Sequence, residues 1–125
     1  MANESGSYRE LTQGVSARLA TLRVNAPDVM KSVSDLGRTA MAAGALDKKT
    51  KELIALALGV AARCDPCIGY HAQALVKLGA SRLELDETLG VAVYMGGGPS
   101  LMYAASAIAA FEEFSGAALA QRGVV

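Results

Sequence analysis

The sequence predicts an all-α chain, on three observations. Apolar residues recur at helical rather than alternating spacing. Helix start and stop signals follow one another at short intervals. No segment alternates as a strand would, and no Gly-Asn or Asp-Gly hairpin turn joins two such runs. A length of 125 residues suits a single domain spanning 1–125. Within it, residues 1–25 form an N-terminal helical segment, and residues 47–115 form a core that carries the chemically informative motif.

About six helices are expected. The first runs from about Tyr8 to Leu22 and ends near Asn25. Pro27 opens the second at its first position, where a missing N–H costs nothing. Val29, Met30, Val33, Leu36 and Ala40 share one stripe of that helix, and Gly44 reads as its stop. Asp47 caps a third helix that runs through Glu52, Leu53, Ile54, Leu56 and Leu58 to about Ala62. Asp65 reads as the cap of the fourth, with Pro66 as its first residue and Gly79 just past its end. Ser81 and Glu84 make a capping box for the fifth, from Arg82 to about Met95. Gly96-Gly97-Gly98 interrupts, and Pro99 opens a last helix reaching about Ser115.

Composition narrows the function. Twelve basic and twelve acidic side chains give zero formal net charge, so no global field favours nucleic acid or an anionic membrane. Residues 88–111 carry no formal charge, a span long enough for a membrane helix, but the glycine run before Pro99 breaks it. Only 19% of residues are charged against 52% hydrophobic. The surplus apolar surface, above all on the uncharged last two helices with their small Ala104, Ala105 and Ala109, is expected to be buried between subunits. The opening Met1-Ala2-Asn3-Glu4-Ser5-Gly6 shows no basic, apolar leader pattern, so the reducing cytoplasm is the expected compartment.

The chemistry concentrates in Arg63-Cys64-Asp65-Pro66-Cys67-Ile68-Gly69-Tyr70-His71. Both cysteines of the chain fall here, three residues apart. So short a loop constrains little chain entropy, which favours redox or metal chemistry over a structural staple. Cys67 in the first turn of a helix lies near unpaired N–H groups and the positive end of the dipole, so it should be the more acidic thiol. His71 follows four residues later on the same face, within reach to exchange a proton with it. Cys64 lies within disulfide reach of Cys67. Other readings remain open on these residues alone: buried structural cysteines, a lone packing histidine, a surface Glu52, or a zinc site. The last lacks a second C-x-x-C to complete four ligands.

The pattern Glu52-x(11)-Cys64-x-x-Cys67-x(3)-His71, with Leu78-Gly79-Ala80-Ser81 and the stretch Val91 to Pro99, resembles the AhpD-like alkylhydroperoxidase family of the carboxymuconolactone decarboxylase superfamily. The resemblance covers about Thr50 to Phe114. It implies an all-helical fold, assembly as a homotrimer or homohexamer, and thiol peroxidase activity without a cofactor or metal. By that resemblance Cys67 attacks the peroxide, Cys64 resolves the sulfenic acid as a disulfide, and Glu52 and His71 relay the proton. An external dithiol then reopens the disulfide. The chain departs from the best-known branch at Pro66, where that branch has a histidine. Two further functions use the same residues: a proton-transfer enzyme resembling the lactone decarboxylases, with Glu52 and His71 acting alone, and a non-catalytic metal-binding or redox-sensing oligomer.

Overall fold

A computed structural model describes residues 7–121, with side chains through residue 116. The expectation read from Met1 to Gly6 lies outside the described residues. Six helices follow one another with no strand among the described residues: α1 (Tyr8–Asn25), α2 (Pro27–Met41), α3 (Lys48–Ala61), α4 (Asp65–Lys77), α5 (Arg82–Gly96) and α6 (Gly98–Gln121).

Side chains placed as the sequence predicts start α3 and α5. Asp47 accepts from the Thr50 amide. Ser81 and Glu84 form the full capping box, each side chain taking the other's backbone N–H. Pro27 opens α2 as expected. Elsewhere the boundaries move. Helix α2 ends at Met41, short of Gly44, because the Lys51 ammonium donates to the carbonyls of Ala40 (3.0 Å) and Ala42 (2.6 Å). A cation on the final carbonyls replaces the next turn of helix. Helix α6 runs past Ser115, whose hydroxyl donates back to the Phe111 carbonyl at 2.8 Å instead of ending the helix.

The break in the glycine run is one residue wide. Helix α5 continues through Gly96 and α6 begins at Gly98, so Gly97 alone turns the chain, at φ 78° and ψ −159°. That region of backbone space is open essentially to glycine only. Among the described residues no helix is long and apolar enough to cross a membrane.

Helices α3 to α6 enclose the core. Leu56 and Val60 from α3, Ile68 and Leu75 from α4, and Leu85 from α5 are wholly buried. Ala107 and Ala110 of α6 pack among them, and their small size lets α6 lie close along α4. Ala104 is part of this internal core, whereas Ala105 and Ala109 stand exposed. The expectation of three alanines facing another subunit is thereby corrected: Ala104 lies against its own chain. Helix α1 lies across α4 and α6. Among the described residues helix α2 touches only α1 and α3, and of its predicted stripe only Met30 is buried. Val29, Val33 and Leu36 are 61%, 57% and 69% exposed.

Candidate functional site

Two backbone motifs meet at one residue and place the cysteines. Helix α3 ends in a turn in which the Cys64 amide donates to the Gly59 carbonyl (3.0 Å) and the Arg63 amide to the Val60 carbonyl (3.1 Å). This double bond pattern needs a left-handed residue, and Arg63 supplies it at φ 58°. Glycine is the usual occupant, so the arginine carries a small conformational cost.

Cys64 then begins α4. Its extended backbone and its sulfur, which accepts from the Cys67 amide at 3.2 Å, make it the N-cap. This corrects the expectation that Asp65 caps the helix. Asp65 is its first residue, Pro66 its second and Cys67 its third. The Asp65 carboxylate is engaged elsewhere, accepting from the Tyr8 hydroxyl at 3.2 Å. Cys67 still lies in the first turn, where the helix's positive end and unpaired amides favour a sulfur anion.

Cys64 and Cys67 are joined as a disulfide, with Cα atoms 5.2 Å apart. Both residues are half-buried. Gly59 of α3 lies directly beneath: a Cβ there would sit 3.2 Å from the Cys67 Cβ. Helix α3 passes through Gly59 without interruption, and this glycine permits the close approach of α4.

One turn above Cys67, His71 meets Glu52. The chain reverses between α3 and α4, and their packing brings the two side chains together across 19 positions of sequence. The imidazole Nδ1 donates to Glu52 Oε1 at 2.6 Å. The Glu52 side chain is 10% exposed and that of His71 31%. A nearly buried carboxylate bonded to Nδ1 fixes the ring and leaves Nε2 free of protein partners among the described residues. Glu52 lies in the early part of α3 and Cys64 just past its end, and the return of α4 brings His71 back beside Glu52.

All four predicted residues thus lie on the facing sides of α3 and α4 and the joint between them. Sequence reading passed over Tyr8, which comes from more than fifty residues away, and the close-approach role of Gly59. Neither carries a local signal. The described residues contain no group of three His, Cys, Asp or Glu side chains arranged to hold a metal ion.

Comparison with known proteins places this geometry. The profile of the carboxymuconolactone decarboxylase family matches residues 27–122. An uncharacterized protein of Cupriavidus necator is 38% identical over 86 residues, covering 69% of this chain and 76% of that protein. An uncharacterized protein of the Paracoccus denitrificans cox locus is 37% identical over 82 residues, or 66% and 74% of the two chains. Among solved structures, an apo family protein from Legionella pneumophila superposes with a TM-score of 0.85 at 59% identity, covering 86% of this chain and 96% of that one. A family protein from Thermotoga maritima, described as a candidate for involvement in an antioxidative response, gives a TM-score of 0.77 at 29% identity over 91% and 96% of the chains. The all-helical fold and the sequence profile agree, and the chain belongs to the carboxymuconolactone decarboxylase family.

Proposed function

We propose that the protein is a thiol-dependent peroxidase of the AhpD-like kind. The observation that carries this reading is the Cys64–Cys67 disulfide at the start of α4 with the Glu52–His71 pair one turn above it. In the reduced enzyme His71 Nε2 takes the Cys67 proton, and Glu52 steadies the imidazolium that results. The thiolate attacks one peroxide oxygen: an S–O bond forms, the O–O bond breaks, and the departing alkoxide or hydroxide takes the proton from His71. The Cys64 sulfur then attacks the Cys67 sulfenic acid, forming the S–S bond and releasing water. An external dithiol of a reducing compartment, the cytoplasm, restores both thiols by exchange. No cofactor enters the cycle.

The family profile also supports a second reading, a proton-transfer enzyme of the decarboxylase kind in which Glu52 and His71 act without the cysteines. A peroxide-consumption assay with dithiothreitol, run on wild type, Cys64→Ser and Cys67→Ser, separates the two. Under the peroxidase reading Cys67→Ser is inactive, and Cys64→Ser, reduced and then freed of dithiothreitol, consumes about one equivalent and stops as a sulfenic acid that a dimedone probe labels. No peroxide turnover by the wild type, or turnover untouched by Cys67→Ser, overturns it.

The same proposal includes assembly as a homotrimer or homohexamer. The exposed stripe of α2 supports it. So does an apolar cavity of about 370 Å³ between α3 and α5, lined by residues including Leu53, Ile54, Leu58 and Val91. Ridge and groove of this kind on one chain suit a ring of copies.

A further inference from the structure

Asp65 sits between the two cysteines in sequence and in the first turn of the helix that they share. A carboxylate at that position has two natural destinations. It can swing onto the free amides of the turn, or it can stand beside the sulfurs as a like charge. Either would oppose a Cys67 thiolate, which draws on the same amides and the same dipole. The structure sends it to a third place, the hydroxyl of Tyr8.

Tyr8 is held there by contacts that do not involve Asp65. Glu113 of α6 accepts from the Tyr8 amide (2.7 Å), the Arg9 amide (2.9 Å) and the Ser7 hydroxyl (3.3 Å), fixing the first turn of α1. The ring of Tyr8 and the methyl of Thr12 close over Gly69 of α4, so tightly that a Cβ on Gly69 would lie 3.2 Å and 2.8 Å from them. The Tyr70 hydroxyl donates to the Thr12 carbonyl at 2.8 Å. Tyr8 is 5% exposed. Burial above all, with the Asp65 and Glu113 charges adding to it and a Ser106 hydrogen bond working against it, pushes its ionisation up. The phenol therefore remains a donor throughout the neutral range.

We propose that Tyr8 is a positioning residue for the thiol pair: its hydroxyl holds the Asp65 carboxylate away from the first turn of α4 and so keeps the Cys67 thiolate available. The proposal rests on Cys67 acting as a thiolate, as in the peroxidase reading. Other charged or titratable groups around the turn are Arg63 in the joint, Glu52 of α3, His71 of α4, and Glu113 and Arg9 at the α1–α6 contact. None is altered by the variants below.

The experiment follows alkylation of Cys67 by iodoacetamide against pH in the full chain reduced with dithiol, with each cysteine resolved by mass spectrometry. It compares wild type, Tyr8→Phe, Asp65→Asn and the double variant. Tyr8→Phe removes only the hydroxyl and should move the midpoint upward, leaving about three- to tenfold less thiolate at neutral pH, the size expected of one nearby like charge in a largely solvated setting. Asp65→Asn should leave it at or slightly below the wild-type value, since the carboxylate is already held away. The double variant should coincide with Asp65→Asn, because Tyr8 acts only through that carboxylate. A general loosening of α1 would shift Cys67 equally in both backgrounds, and that result overturns the proposal, as does a Tyr8→Phe profile that matches wild type. Should Tyr8→Phe not fold, an Asp65→Asn midpoint above that of wild type overturns it alone, because the carboxylate would then be supporting the thiolate. Alkylation requires no peroxide, so a chain that alkylates as described but leaves peroxide untouched would refute the peroxidase reading and not this one.

Discussion

Replacing Glu52 by Gln keeps the size of the side chain and an acceptor for His71 Nδ1, and removes one charge. The imidazolium that forms when His71 takes the thiol proton then lacks its partner. The two groups are bonded at 2.6 Å. Their charge centres lie roughly 4 Å apart, a separation that gives about 4 kcal/mol at an effective dielectric near 20. His71 is 31% exposed, so solvent screening removes about a quarter to a half of that and leaves roughly 2–3 kcal/mol. At about 1.4 kcal/mol per tenfold, peroxide reduction by Glu52→Gln should slow by roughly 30- to 100-fold. The assay is steady-state peroxide consumption with saturating dithiothreitol, with melting temperature measured in parallel. His71→Ala should lose as much or more, and the double variant little beyond that, because the two act as one unit. Activity of Glu52→Gln within threefold of wild type refutes the relay. So does a double variant whose losses multiply. A melting temperature that collapses together with the rate would make Glu52 a structural carboxylate.

Three further outcomes follow from the fold. Gly97→Ala forces a side chain into a glycine-only backbone conformation and should cost about 1–3 kcal/mol in urea unfolding, whereas Ala at Gly98, where a Cβ meets nothing within 4 Å, should be neutral or slightly stabilising. Glu84 is held below its ordinary value of 4.5 first by the Lys49 ammonium, bonded at 2.8 Å, and then by the Ser81 amide. A lowered carboxylate stabilises the fold above its unfolded value and loses that contribution as pH falls through the folded one. Glu84→Gln should therefore lower the melting temperature at pH 7 and converge on wild type in melts below about pH 4. If the proposed assembly holds, wild type should sediment as a trimer or hexamer, and Val33→Glu with Leu36→Glu should yield monomers with helical content by circular dichroism unchanged. A variant that sediments with wild type would clear the α2 stripe of that role.

Local chemistry made much of the architecture legible. Asp47, Pro27 and the Ser81–Glu84 box act within one turn of themselves, so their residue types alone forecast α2, α3 and α5. The segment from Cys64 to His71 was legible for the same reason, since its spacing sets its helical face. Three features were not. The N-cap of α4 is Cys64 and not Asp65, whose carboxylate meets the hydroxyl of Tyr8, 57 positions away. The end of α2 depends on Lys51 reaching back over nine and eleven positions. The stripe of α2 shows the opposite limit: periodicity forecasts an apolar face and says nothing of what covers it, and within one chain Val29, Val33 and Leu36 remain open. The Glu52–His71 contact lay between these cases, because motif spacing suggested the pair while only the packing of α3 on α4 could close it.

The joint at Arg63 and Cys64 also sets how the segment tolerates changes in length. One residue closes the turn that ends α3 and caps α4, so the two helices are coupled in phase with no slack between them. Each residue of helix advances a side chain by about 100° and 1.5 Å. One residue inserted between Cys67 and His71 would swing the imidazole off the face that meets Glu52. One inserted between Glu52 and Gly59 would turn the carboxylate away while leaving the joint intact. Substitutions in this stretch can be compensated by neighbouring side chains, but insertions and deletions cannot. Between Glu52 and His71 the number of residues is as much a part of the site as their identity.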